Sequence, residues 1–110
     1  MNNLICMDGT VEIAEELKNK YNPEGSTLRK AQLRMLDMVL YIDKICKENN
    51  LQYHIESGNL LGAVRHNGFI PWDDDFDIAL YRRDYKKLIK ILKKQDQIMF
   101  CKIIRLILVL

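Results

Sequence analysis

The sequence lacks the marks of several protein classes. Three cysteines, Cys6, Cys46 and Cys101, stand far apart with no CxxC pair. An odd, widely spaced set argues against a disulfide framework or a zinc site, and for reduced thiols in the cytosol. Asn2-Asn3 supplies no basic region and Asp8 interrupts any apolar run, so no signal peptide is expected. No transmembrane segment is expected either. The terminal run Ile103 to Leu110 contains Arg105 and is far shorter than the ~20 residues of a membrane span. There is no internal repeat and no low-complexity tract. The net charge of +2 is too small to argue for nucleic acid or a membrane surface. These absences leave a cytoplasmic globular chain, and 110 residues suffice for one core.

Spacing then sets the elements. Val11, Ile13, Ala14 and Leu17 predict a short amphipathic helix. YNPEGS, Tyr21 to Ser26, is a loop. Ser26 or Thr27 can cap a helix over about 27–48, whose stripe runs Leu28, Ala31, Met35, Val39, Ile42 and Cys46. Leu51, Tyr53 and Ile55 alternate with polar residues, as in a half-buried strand. A tight turn follows at Ser57-Gly58. Leu60, Leu61 and Val64 predict the inward face of a short helix that stops at Asn67-Gly68. Phe69 to Trp72 is an extended connector, with Trp72 expected in the core. A second strand is predicted over about 75–81 and a helix over about 82–94, packed through Tyr85, Leu88, Ile89 and Leu92. Its Arg82, Arg83, Lys86, Lys87, Lys90, Lys93 and Lys94 read as a solvated face, so no nucleic acid is expected as a partner. The end of the chain, IMFCKIIRLILVL, reads as a buried third strand or as an apolar segment without its partners.

The chemistry concentrates between Ser57 and Leu80, SGNLLGAVRHNGFIPWDDDFDIAL. Asp73, Asp74, Asp75 and Asp77 put four carboxylates in five positions. Charges this dense are kept near a core only when a cation offsets them. On a strand Asp75 and Asp77 share one face, and Phe76, Ile78 and Leu80 share the other. Two carboxylates one pleat apart suit Mg²⁺ or Mn²⁺, with the remaining coordination given to substrate phosphates. Asp73 is a third, weaker ligand or an outer acceptor; Asp74 points away. An EF-hand is a poor alternative, because the glycine position is Ile78 and the final glutamate is Asp84. Ser57, Gly58 and Asn59, between a strand and a helix start, are candidate phosphate donors, although an ordinary cap explains Ser57 equally well. Arg65 is read as an ion-pair partner of Asp73 or Asp74, or as a phosphate ligand. His66 is read as a connector residue.

This 24-residue stretch closely resembles the signature of LicD family phosphotransferases, which include phosphocholine transferases and are related to fukutin-related protein. The resemblance covers about Leu28 to Leu92. It implies an α+β, nucleotidyltransferase-like fold with a small mixed sheet flanked by helices. It also implies Asp75 and Asp77 as metal ligands and Ser57, Gly58 and Asn59 as the phosphate turn. The activity it implies is metal-dependent transfer of phosphocholine or a related phospho-alcohol. The donor is a CDP-linked small molecule and the acceptor a cell-surface glycan, as in lipopolysaccharide or teichoic acid modification. Asn59 stands where threonine or serine is usual. The family domain continues past this chain's end, and residues 96–110 do not resemble it. The expected layout is therefore an N-terminal helical extension over 1–26, the N-terminal portion of the family domain over 27–95, and an atypical apolar tail over 96–110. A truncated product that self-associates through that tail is part of the expectation. The alternatives are a nucleotide-sugar glycosyltransferase using its DxD, or a non-catalytic remnant needing a partner chain.

Overall fold

The computed structural model describes residues 3–5 and 11–110; Cys6 lies outside them. Strand β1 (Asn3–Ile5) pairs antiparallel with β2 (Val11–Ile13). The helix expected from Val11 therefore begins three residues later, as α1 (Ala14–Tyr21). The β-branched Val11 and Ile13 go into the ladder instead.

Helix α2 (Thr27–Glu48) is the longest element. The Ser26 side chain caps it, accepting from the Arg29 amide at 3.1 Å. Val39, Ile42, Ile45 and Cys46 are buried along one face, but Ala31 is exposed and Gln32, outside the expected stripe, is fully buried. The helix ends at Asn49, and Asn50 takes the left-handed conformation at φ 56°.

The main sheet has the order β3-β4-β5. Strand β3 (His54–Ile55) runs antiparallel to β4 (Ile78–Leu80), with Ile55 opposite Ile78. Strand β5 (Ile107–Val109) runs parallel to β4. The sheet is small and mixed and the fold is α+β, as expected. Both predicted strands prove shorter, and the second begins at Ile78 rather than near Asp75. All three residues of β4 are fully buried, so it is covered on both faces.

Between β3 and β4 lies α3 (Ser57–His66), stopped by Asn67 in the left-handed region at φ 54°. Its rotation differs from expectation. Leu60, Leu61 and Val64 are 48%, 44% and 75% exposed, while Asn59 and Gly62 are buried. The cause is close packing against the returning connector. A Cβ at Gly62 would strike the Gly68 carbonyl oxygen and lie 2.9 Å from the Ile70 nitrogen. No larger residue can stand there, and that contact fixes which side faces in.

Trp72 is also exposed, contrary to expectation, and stands edge-on to Tyr21 and to His66. Helix α4 (Arg82–Gln95) buries Leu88 and Leu92, and its seven cationic side chains are exposed. The C-terminal segment is only partly strand. Asp96 caps α5 (Gln97–Ile103) by accepting from the Ile98 and Met99 amides. A 3-10 turn over Ile104–Leu106 then leads into β5. Ile103 joins Ile42, Ile78, Leu80, Leu88 and Leu92 in the fully buried core. No helix among the described residues is long and apolar enough to cross a membrane.

Candidate functional site

Where β3 gives way to α3, Ser57 sits at φ 56°. This left-handed conformation strains a serine. The strain turns the chain sharply and opens α3 with Glu56, not Ser57, at the cap position and no side-chain cap. Gly58 follows in the first helical turn. A Cβ built there would lie 2.6 Å from Asp73 Oδ2, so only glycine lets the Asp73 carboxylate rest against this turn. The positive end of the helix dipole is a favourable place for that charge. The serine-glycine turn and the acidic segment therefore meet.

One carboxylate oxygen from each of Asp73, Asp74 and Asp75 lies within 4.8 Å of the others. Asp73 is half-buried; Asp74 and Asp75 are exposed. Burial raises the Asp73 pKa first, and hydrogen bonding to Asp75 and its charge raise it further. Crowded, partly buried carboxylates disfavour the charged form in this way. Asp74 was expected to point away by strand alternation. The strand starts only at Ile78, so alternation does not govern residues 73–75, and Asp74 converges with its neighbours. Asp77 stands outside this trio. It is half-buried, and burial followed by the charge of Asp75 raises its pKa.

Asn59 faces the acidic segment. Its Oδ1 accepts from the Asp77 amide at 2.6 Å and its Nδ2 donates to the Asp75 carbonyl at 3.2 Å. The Asn59 amide donates to the Glu56 carbonyl. Asn59 thus laces α3 to the segment carrying the carboxylates. Arg65 is exposed and makes no ion pair among the described residues, so the pairing expected with Asp73 or Asp74 is not formed. Eight positions separate it from Ser57, about 12 Å along a helix, which takes it away from the phosphate turn.

Sequence reading missed Gln32. Its Nε2 donates to the carbonyls of Ile70, Pro71 and Asp73 at 3.3, 3.3 and 2.8 Å. Its Oε1 accepts from Asn22 Nδ2 at 3.0 Å and Arg29 Nη1 at 3.2 Å. The available signal is a polar residue set one helical turn from Leu28 and from Met35, both half-buried. Behind this network lies a cavity of 480 Å³ lined by Lys18, Asn22, Arg29, Gln32, His66 and Pro71 among others. His66, expected as a plain connector residue, is half-buried there. Its Nδ1 is buried without a hydrogen-bond partner, and burial lowers its pKa. No aspartate lines this cavity, so it is separate from the carboxylate cluster.

The family model described as LicD/FKTN/FKRP, nucleotidyltransferase domain, matches residues 50–103. The match continues past Leu92 to Ile103, which corrects the expectation that resemblance ends with α4; Ile103 is a core residue of the same unit. Among curated relatives, the lipopolysaccharide cholinephosphotransferase LicD of Haemophilus influenzae is 40% identical over 65 residues. Those residues are 59% of this chain and 24% of that protein. The uncharacterized protein RP689 of Rickettsia prowazekii is 39% identical over 88 residues, 80% of this chain and 32% of that one. The ribitol 5-phosphate transferase FKRP of Mus musculus is 37% identical over 65 residues, 58% of this chain and 13% of that protein. The chain thus spans at most about a third of the length of these relatives. No solved structure matches it. The serine-glycine turn, the acidic segment and the helix after them all lie inside residues 50–103, the part of the chain that matches the LicD family domain.

Proposed function

We propose that this chain carries the donor-binding part of a transferase that moves phosphocholine or a related phospho-alcohol from a CDP-linked donor to a glycan hydroxyl. The observation that carries this reading is the convergence of Asp73, Asp74 and Asp75 within 4.8 Å, against the turn at Gly58. Three carboxylates so close are a hard oxygen donor set, the kind that takes Mg²⁺ or Mn²⁺. Burial and the neighbouring carboxylates disfavour the charged form of Asp73, and a bound cation would offset that. Asp75 and Asp73 are the ligands in this proposal, with Asp77 joining from the residue before β4. A bound divalent cation supplies charge neutralisation for the donor's diphosphate.

The chain's own groups supply position. The first turn of α3 presents backbone N–H groups and a positive dipole end to phosphate oxygens. The acceptor oxygen attacks the phosphorus bearing the alcohol, forming a new P–O bond as the P–O bond to CMP breaks. The hydroxyl proton passes to a base. Holding donor and acceptor in line supplies much of the rate in such transfers. The relatives named for cholinephosphate and ribitol 5-phosphate transfer support the substrate class.

Mn²⁺ titration followed by electron paramagnetic resonance tests the ligand set, with CDP-choline turnover as a second readout. One site is expected, weakened in Asp75→Ala and Asp77→Ala by more than the ten- to hundredfold that loss of an outer-shell contact typically costs. Equal affinity in the parent and both variants would overturn the assignment.

A further inference from the structure

The acidic segment is not held by regular structure. Residues 70–77 precede β4, and only the amide of Asp73, bonded to the Ile70 carbonyl at 3.0 Å, makes a local turn. Like charges at this density push the segment open. Bonds from outside it therefore matter to where its backbone sits.

We propose that Gln32 is a positioning residue for this cluster, and that its role is to fix the backbone from which Asp73, Asp74 and Asp75 converge. The proposal rests on the divalent-cation reading above. Gln32 is fully buried at the middle of the first half of α2, 38 to 41 positions from the carbonyls it binds. A carboxamide there adds nothing to the helix itself and costs desolvation unless its groups are paired. Every one of its pairings serves the acidic segment or aims the carboxamide at it. The two N–H groups of Nε2 meet the carbonyls of Ile70, Pro71 and Asp73, which have no partner in a strand or helix. Asn22, 1% exposed, and Arg29 bond Oε1 and so determine which end of the carboxamide points at those carbonyls.

Asp73 is consequently fixed at two points. Gln32 grips its carbonyl at 2.8 Å, and its carboxylate rests against Gly58. Asn59 holds the far end at Asp75 and Asp77. Two carboxamides from two helices thus bracket the carboxylates. Of the two, Gln32 acts on the residue whose side chain is half-buried and nearest the serine-glycine turn.

The test measures Mn²⁺ affinity of the 110-residue chain by electron paramagnetic resonance, at a temperature where each variant is folded. Amide exchange at residues 70–77 is followed in parallel. Gln32→Met keeps the volume and removes every hydrogen bond. It should weaken Mn²⁺ about ten- to a hundredfold and speed exchange at Asp73. Val39→Ala, a core change on the same helix, should lower the melting temperature while leaving Mn²⁺ affinity within about twofold of the parent. Should Gln32→Met fail to fold, the double variant Asn22→Ala/Arg29→Met serves: it removes both donors to Gln32 Oε1, with the Ser26 contact of Asn22, and is expected to weaken Mn²⁺ several-fold. Parent-like affinity in Gln32→Met, or in the double variant where that stands in, with binding lost in Asp73→Asn, would overturn the positioning role and leave the cation site standing. Absence of Mn²⁺ binding in the parent would overturn both.

Discussion

Asp73 is the residue on which the site's electrostatics turn. Its carboxyl is raised above the ordinary range by burial first and then by Asp75. A raised carboxyl binds its proton more tightly folded than unfolded, so folding is favoured at low pH. That contribution fades as pH rises through the folded value. Asp73→Asn should therefore be more stable than the parent at neutral pH without divalent cations, by less than about 1 kcal/mol for so partly exposed a group. The gap should close below about pH 4. Adding Mg²⁺ should reverse the order at neutral pH, because only the parent gains binding energy. Thermal melts at several pH values, with and without Mg²⁺, check this; an advantage that persists at pH 3 would refute it. At this scale the sequence was informative wherever type and spacing decide the chemistry, as in the acidic run and the Ser57-Gly58 turn. It was silent on Gln32, whose partners lie some forty positions away, and misleading on Asp74, because strand alternation was extended over residues that form no strand.

Among the elements, α4 and the second half of α2 are legible because their burial follows a simple stripe, and of the two cap residues that the sequence offers, Ser26 or Thr27, the fold uses Ser26. Helix α3 was not. Its three large apolar residues suggested an inward face, yet the inward side is built from Gly58, Asn59 and Gly62. Backbone proximity outweighs side-chain hydrophobicity there: the connector Gly68 to Asp73 lies so close that a methyl group would collide with it. Gly62→Ala should accordingly push α3 off the connector and destabilise the fold by about 1–3 kcal/mol. For a domain of this size that is a loss of several degrees or more in melting temperature. Mn²⁺ affinity should fall with it, since Gly58 and Asn59 ride on the same helix. An unchanged melting temperature would mean that the connector yields freely. Helix α5 was missed for another reason. Ile98, Phe100 and Ile103 are common strand formers, yet the Asp96 cap prevails and starts a helix.

For the molecule as a whole, the sharpest departure from expectation concerns the last fifteen residues, which the sequence set apart as a tail. In the fold they pack into the core and extend the sheet. Ile103 is fully buried with Leu88 and Leu92 of α4 and Ile78 and Leu80 of β4. Strand β5 gives β4 its second neighbour, and the Leu110 amide donates to the Leu80 carbonyl at 2.8 Å. The Leu110 carbonyl in turn accepts from the Arg82 amide at the first turn of α4. Strand β4 directly follows Asp77, so what anchors β4 also anchors the end of the acidic segment. Ile103→Ala should then cost about 2–5 kcal/mol, a large share of the ~5–15 kcal/mol typical of a small domain. In calorimetry or circular dichroism this is a fall in melting temperature of roughly 10 °C or more. Parent-like melting would mean that Ile103 contributes little to the core. Because the lesion is remote from the carboxylates, Mn²⁺ affinity measured well below the new melting temperature should stay near the parent's. Loss of affinity in the folded variant would instead show that β4 transmits disorder from the C-terminal strand into the site.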